Sequence, residues 1–152
     1  MNVPEVPHGE TPPNGAAHAI EAAVLGVLEA EGVLNGEMSV TLLDDTAMAD
    51  LHARYLGVDA PTDVLSFDLK SATDGPDSDR PLGDVYVGYE TGAAQAAELG
   101  VDVVEELVRL AVHGVLHVLG YDHPTDGARE TSAMYLRQEE LVRRFFVEPE
   151  GA

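Results

Sequence analysis

Three histidines in one short stretch, His113, His117 and His123, have the spacing of metal ligands. His113 and His117 are four residues apart on a predicted helix, so their side chains project from one face, one turn apart. Gly120 is typical of a helix end, and the turn after it can bring His123 back as a third ligand. Pro124 restricts the backbone of His123 to extended conformations. The spacing therefore predicts one metal ion that is held by three imidazoles.

Three histidines with an open fourth position are typical of a catalytic zinc site. Zinc lowers the pKa of a bound water from about 15.7 to about 7, so that hydroxide becomes available at neutral pH. We therefore expect one zinc ion per chain, and His113 would take part in catalysis through this metal. Nickel and copper also accept imidazole, and the sequence alone does not separate them from zinc.

The helix around the two histidines favours a metal over the alternative of hydrogen-bonded core residues. A lone histidine on an apolar helix is more often a core residue than a ligand, and a pair four residues apart is still ambiguous. Asp102, Glu106 and Arg109 continue the line of His113 and His117 in steps of three and four residues. Most other positions of this helix are apolar, which predicts that it is buried and that its histidines need partners. A shared metal would be a partner for both.

The elements that must position these residues indicate an α+β fold. Helices lie before, between and after short strands, without strict alternation, and no second core is visible. We predict that Asn14 and Asp102 cap helices, that Asp44 and Asp45 start another helix, and that Gly57 and Gly100 end helices. The predicted helices cover about 15–31, 45–56, 91–99, 103–119 and 126–146, and the predicted strands cover 37–43, 62–69 and 84–89. We interpret residues 1–14 as a loose tail, 70–83 as a surface loop and 15–148 as a single domain.

Composition narrows the function. The 28 acidic and 8 basic residues give a formal charge of −20, which counts against broad electrostatic binding of nucleic acid. Any contact with nucleic acid should therefore be local, or assisted by a metal or a partner. The lack of cysteine excludes disulfides, thiolate ligands and a cysteine nucleophile. We find neither a secretory signal nor an apolar run of about 20 residues, so we expect a cytoplasmic protein without a membrane partner.

Four further polar residues could belong to a site. Ser66 lies on the polar face of the strand predicted at 62–69, where its hydroxyl could contact a phosphate, or could equally face solvent. Asp63 is better interpreted as a cap at the start of that strand, and Tyr86 as a core aromatic rather than a base-stacking residue. Asp122 could orient one of the histidines or could serve only the turn.

Three blocks of the sequence resemble one known family. The stretch HGVLHVLGYDH, residues 113–123, resembles the HGxLHLxGYDH signature of the YbeY family of bacterial endoribonucleases and ribosomal RNA maturation factors. APTDVLSFDL, residues 60–69, resembles the family's PTDVLSF strand. PLGDVYVGYETGAAQAAELG, residues 81–100, resembles its LGDI strand and the helix after it. The region of Met134 and Glu139 also fits, so the resemblance covers about residues 35–145.

This resemblance implies a structure and a function. The fold would be a single α+β domain with a small mixed sheet, about five helices and the metal site on a buried helix. His113, His117 and His123 would be the zinc ligands. The activity would be cleavage of single-stranded RNA, in ribosomal RNA processing and ribosome quality control. A small-subunit ribosomal protein and an assembly GTPase would be partners.

The sequence departs from the family around Tyr55. Leu56 follows this tyrosine, where the family commonly has an arginine that is proposed to contact the phosphate, and His52 occupies the place of an asparagine. Arg54, two positions before Leu56, is therefore the candidate for this catalytic role.

Two other functions remain open at this point. A zinc peptidase of the H-E-x-x-H type needs a glutamate directly after the first histidine, and Gly114 stands there. A ribosome-assembly factor that acts by binding, with a structural metal, would agree with the acidic charge and the missing arginine.

Overall fold

The structure, a computed structural model, describes residues 12–70, 81–121 and 133–147. Within these ranges the chain forms five helices and three strands, which confirms the predicted α+β fold. In chain order they are α1 (Ala16–Ala30), β1 (Glu37–Leu43), α2 (Asp45–Leu56), β2 (Val64–Asp68), β3 (Pro81–Gly88), α3 (Tyr89–Leu99), α4 (Val103–Val118) and α5 (Ala133–Phe145). No helix within the described ranges is long and apolar enough to span a bilayer.

The three strands form one mixed sheet with β3 in the centre. The order is β1-β3-β2, in which β1 runs parallel to β3 and β2 runs antiparallel to it. Val85 of β3 lies between Val40 of β1 and Ser66 of β2. The small mixed sheet that the family resemblance implied is therefore confirmed.

Helix α4 lies at the centre of the hydrophobic core. It packs against α1, α3 and α5 and against one face of the sheet. Its apolar side chains are almost all buried, which confirms the prediction of a buried helix: Val104, Leu107, Val108, Leu110, Ala111, Val112, Val115, Leu116 and Val118. A Cβ atom on Gly114 would lie 2.6 Å from Cγ1 of Val85, so the missing side chain lets α4 approach the sheet closely.

Most helix ends follow the predicted local signals. The carboxylates of Asp44 and Asp102 accept hydrogen bonds from the backbone N–H groups of residues 47 and 105, at 2.8 and 3.0 Å. Gly57, Gly100 and Gly120 end helices α2, α3 and α4 with positive φ angles of 73°, 68° and 110°.

Two local predictions were wrong. Asn14 does not cap α1, because the N-cap position is Gly15, which has a φ of 82° and provides no side-chain hydrogen bond. The loop predicted at 70–83 is too long at its end, since Pro81 already begins β3 and pairs with Glu37. Residues 81–83 belong to β3 because the strands on its two sides, β1 and β2, pair with them. Proline is tolerated at the first residue of a strand. Residues 1–11, 71–80 and 126–132 of the predicted tail, loop and last helix lie outside the described residues.

Candidate active site

One cleft of about 680 Å³ brings together most of the polar residues that the sequence singled out. Its walls come from the start of β2, from α3, from the polar stripe of α4 and from α5. His113, His117 and Ser66 all line it. The other lining residues are Asp63, Val64, Leu65, Gln95, Leu99, Glu106, Arg109, Leu110, Met134, Tyr135 and Gln138.

The two described histidines are placed as a pair. Their ring centroids lie 5.6 Å apart and the rings are inclined at 81°. Two imidazoles that share a tetrahedral zinc at an N–Zn distance of about 2.1 Å have ring centroids about 5 Å apart. His113 and His117 therefore have a spacing that fits ligation of one ion.

The third predicted ligand, His123, and the neighbouring Asp122 lie outside the described residues. Among the residues that the structure describes, no group of three His, Cys, Asp or Glu side chains is placed to hold a metal. The three-histidine zinc site therefore stays a prediction. Two of its three histidines, His113 and His117, line one cleft.

Gln138 fixes the orientation of His113. The Nδ1 atom of His113 lies 2.7 Å from Oε1 of Gln138, which is buried on α5. The amide nitrogen of Gln138 in turn donates a hydrogen bond to Oε2 of Glu139, at 2.9 Å. An amide oxygen can only accept a hydrogen bond, so this contact requires a proton on Nδ1 of His113, which in a neutral imidazole leaves the lone pair on Nε2. A neutral imidazole of this kind can act as a metal ligand.

Arg109 is surrounded by carboxylates. Its three nitrogen atoms donate to Glu139, Glu106 and Glu105, at 2.9, 2.9 and 3.0 Å. Burial alone would lower the pKa of Arg109, but these hydrogen bonds outweigh it and hold the pKa above its usual value. The guanidinium therefore stays charged. Although it lines the cleft, its three nitrogen atoms already donate hydrogen bonds to carboxylates of the same chain.

Asp63 and Ser66 stand on the opposite wall. Oδ1 of Asp63 accepts a hydrogen bond from the backbone N–H of Val64 at 2.8 Å, and Oδ2 accepts one from Gln95 at 3.0 Å. Asp63 is therefore the structural residue that the sequence indicated, and it ties β2 to α3. Ser66 points to the cleft with Val64, two residues earlier, as the two-residue period predicts.

Two other candidate residues lie outside the cleft lining. Arg54 is on the exposed side of α2, where it forms an ion pair with Asp50 at 2.6 Å. The catalytic role of Arg54 stays a prediction, and the location of its side chain on the exposed side of α2 does not support it. His52, on the same helix, makes a hydrogen bond of 2.8 Å between its Nδ1 and the backbone oxygen of Ala60, which agrees with a structural histidine.

Tyr86 belongs to a small cluster on the other face of the sheet. Its ring packs edge-to-face on Phe67, with centroids 5.9 Å apart. Burial, followed by the charge of Asp84, raises the pKa of Tyr86. The packing on Phe67 agrees with the predicted core aromatic.

Sequence reasoning missed the part that α5 plays. Gln138 lies 25 residues after His113, and no local pattern relates the two. The only available signal was periodicity, because Gln138 shares the buried face of α5 with Met134, Leu141 and Val142. A polar residue on a buried helical face needs a partner, and that partner is His113.

Comparison with known proteins gives one consistent family. The family model described as Endoribonuclease YbeY matches residues 10–146. A curated protein named Endoribonuclease YbeY from Moorella thermoacetica is 47% identical over 120 residues, which are 74% of this chain and 76% of the relative. Another of this name from Chloroflexus aurantiacus is 43% identical over 132 residues, with 81% and 82% covered.

A solved structure supports the fold independently. A Thermotoga maritima protein, whose structure was determined in solution, has a TM-score of 0.62 to this chain, with 24% sequence identity. The superposition covers 93% of this chain and 87% of the other. At this identity the similarity concerns the fold.

Proposed function

Because the chain belongs to the Endoribonuclease YbeY family, we propose that it is a zinc-dependent endoribonuclease that cleaves single-stranded RNA in ribosomal RNA maturation and ribosome quality control. It would work in the cytoplasm, with one zinc ion per chain. The observation that carries this proposal is the cleft in which His113 and His117 face the same space as Ser66.

His113, His117 and His123 would hold the zinc. The fit rests on the spacing of the first two rings and on the lone pair that the hydrogen bond to Gln138 leaves on Nε2 of His113. When bound, zinc would supply Lewis acidity and would make a water molecule acidic enough to react near neutral pH. The hydroxyl of Ser66 would donate a hydrogen bond to the phosphate of the RNA and so position it.

The charges of the cleft limit how RNA can bind. Arg109 is the cationic side chain among the described lining residues, and three carboxylates hold it. The phosphate must therefore be attracted by the metal, by residues outside this lining, or with the help of a partner. By family resemblance we propose a small-subunit ribosomal protein and an assembly GTPase as partners. The acidic chain is suited to bind basic ribosomal proteins.

The test combines metal content with RNA cleavage. The wild type and His117→Ala are compared for zinc per chain and for cleavage of a labelled single-stranded RNA. His18→Ala, in which an exposed histidine of α1 is removed, is the matched control. We expect one zinc and cleavage in the wild type and in His18→Ala, and loss of both in His117→Ala. Stoichiometric zinc in both His113→Ala and His117→Ala would contradict the proposal.

The second candidate is a ribosome-assembly factor that acts by binding, with a structural metal. The hydrogen bonds of Arg109 to three carboxylates favour this binding factor, since RNA binding usually relies on exposed cations. Zinc in the wild type without cleavage, in the presence of small ribosomal subunits as well, would move the conclusion to this candidate.

A metallopeptidase agrees less well with the site. The Cβ direction of Gly114 leads to Val85 and Val64 of the sheet, so a general-base glutamate would not fit there. The described carboxylates of the cleft, Asp63 and Glu106, are already hydrogen-bonded to Gln95 and Arg109.

A further inference from the structure

The hydrogen bond between Gln138 and His113 does more than fill a buried position. Gln138 is 6% exposed, so both ends of its amide need partners within the protein. The amide oxygen faces Nδ1 of His113 at 2.7 Å, and the amide nitrogen faces Oε2 of Glu139 at 2.9 Å. The reverse orientation of the amide would place a carbonyl oxygen against a carboxylate. The carboxylate of Glu139 therefore determines which end of Gln138 the histidine meets.

Arg109 holds Glu139 in this position. Its Nε donates to the same Oε2 atom that accepts from Gln138, at 2.9 Å. The guanidinium is charged under all ordinary conditions, because arginine is not deprotonated in proteins, and the carboxylates around it raise its pKa further in spite of its burial. A continuous chain of hydrogen bonds thus runs from Arg109 through Glu139 and Gln138 to His113.

We propose that Gln138 is a positioning residue, which holds His113 in the tautomer with a proton on Nδ1 and a lone pair on Nε2. An imidazole that is free to change tautomer spends part of its time with a proton on the nitrogen that would bind a metal. A fixed tautomer removes this cost and also fixes the ring plane. For metal binding the inference rests on the proposed function, whereas the tautomer itself does not.

The tautomer can be measured in the zinc-free full-length protein. Nitrogen-15 correlation spectra distinguish Nδ1–H from Nε2–H imidazoles when they are recorded well above pH 6.5, where an ordinary histidine is neutral. We expect the Nδ1–H form for His113 in the wild type. Gln138→Met keeps the size of the side chain but removes the acceptor, and should give a mixture of both forms.

Zinc affinity is the second measurement that tests the role of Gln138. Loss of a group that orients a metal ligand typically weakens binding by about 10- to 100-fold, and we expect this of Gln138→Met in competition with a chelator. Gln95→Met is the matched control, because it removes a glutamine of the same cleft that bonds Asp63 instead of a histidine. It should keep the zinc affinity of the wild type.

The outcomes separate the two proposals. An Nε2–H form of His113 in the zinc-free wild type would overturn the inference, and so would an unchanged tautomer and zinc affinity in Gln138→Met. A wild type that binds no zinc would refute the proposed function. The spectra would then still decide whether Gln138 positions His113.

Discussion

The Nε atom of Arg109 lies 2.9 Å from Oε2 of Glu139, and this ion pair joins the central helix α4 to the last described helix, α5. Glu105 and Glu106 bind the other two nitrogens of the same guanidinium. One cation therefore holds three carboxylates at the back of the cleft, where Glu106 is only 6% exposed and Arg109 only 20%. Such an arrangement is stable only as long as the cation is present.

Arg109→Met should destabilise the protein strongly. Methionine keeps the aliphatic part of the side chain but leaves three carboxylates together without a cation. Removal of one partner of a buried ion pair costs about 3–5 kcal/mol, and we expect the lower end because Glu105 and Glu139 are partly exposed. Urea unfolding at pH 7 measures the loss.

The control for this prediction is Arg54→Met. It breaks an ion pair with Asp50 in which both side chains are more than 60% exposed, so the loss should stay below about 1 kcal/mol. Similar losses in the two variants would mean that the Arg109 cluster contributes no more than a surface pair.

Gly114→Ala tests the close approach of α4 to the sheet. The new Cβ would lie 2.6 Å from Cγ1 of Val85 and 3.2 Å from Cγ2 of Val64. Overpacking of this kind costs about 1–3 kcal/mol, whereas the higher helix propensity of alanine returns about 1 kcal/mol. We therefore expect a net loss of free energy of unfolding.

A double variant identifies the contact that causes this loss. Val85→Ala removes the nearer methyl group, so Gly114→Ala combined with it should be less destabilised than the sum of the single variants. Residues in contact typically couple by about 0.5–3 kcal/mol. Strictly additive losses would show that the strain lies elsewhere.

These contacts also show how far the sequence alone could lead. The helix ends at Asp44, Asp102 and Gly57 were predictable, because capping and positive φ are decided within a few neighbouring residues. The histidine pair was predictable for the same reason, since a helix places residues four apart on one face. Each of these features depends on a local rule.

Features that depend on distant partners were missed. Gly83 looked like part of a loop, but it lies in β3, where it pairs with Met38 of β1 and Asp68 of β2. A Cβ there would meet the backbone oxygen of Phe67, so a glycine is needed for this close approach. Gln138 could not be assigned to His113, because only the packing of α5 on α4 brings them together.

Tyr86 predicts a loss of stability in alkaline solution. Its pKa in the folded protein is raised, mainly by burial and then by Asp84, whereas in the unfolded chain it is about 10. The neutral phenol therefore contributes its full stabilisation below about pH 10, and this is lost as the pH rises through the folded pKa. The free energy of unfolding of the wild type should fall more steeply above about pH 10 than that of Tyr86→Phe. At pH 7, where the phenol is neutral, the two chains should be similar, and parallel curves at all pH values would refute the prediction.

Arg54→Ala tests the catalytic role that the sequence suggested for this residue. Since its guanidinium is bound to Asp50 on the exposed side of α2 and does not line the cleft, we expect near-wild-type cleavage of single-stranded RNA. Asp50→Ala, which removes only the partner, is the control for changes in the helix surface. A loss of about tenfold or more in kcat, or about 1.4 kcal/mol of transition-state stabilisation, in Arg54→Ala alone would restore Arg54 to the mechanism.

Ser66→Ala tests whether the wall opposite the histidines contacts the RNA. The hydroxyl lies in the cleft on the central part of β2, opposite Val85 in the sheet. A hydrogen bond to a charged group contributes about 1.5–3 kcal/mol, so its loss should lower kcat/KM for RNA cleavage by about tenfold or more. Zinc content should not change, because a serine hydroxyl is not among the predicted ligands. Ser39→Ala removes a serine hydroxyl from β1, outside the cleft lining, and the variant protein should cleave RNA like the wild type. Equal kcat/KM values for all three chains would remove Ser66 from the substrate site and leave the two histidines as the part of the cleft that acts on RNA.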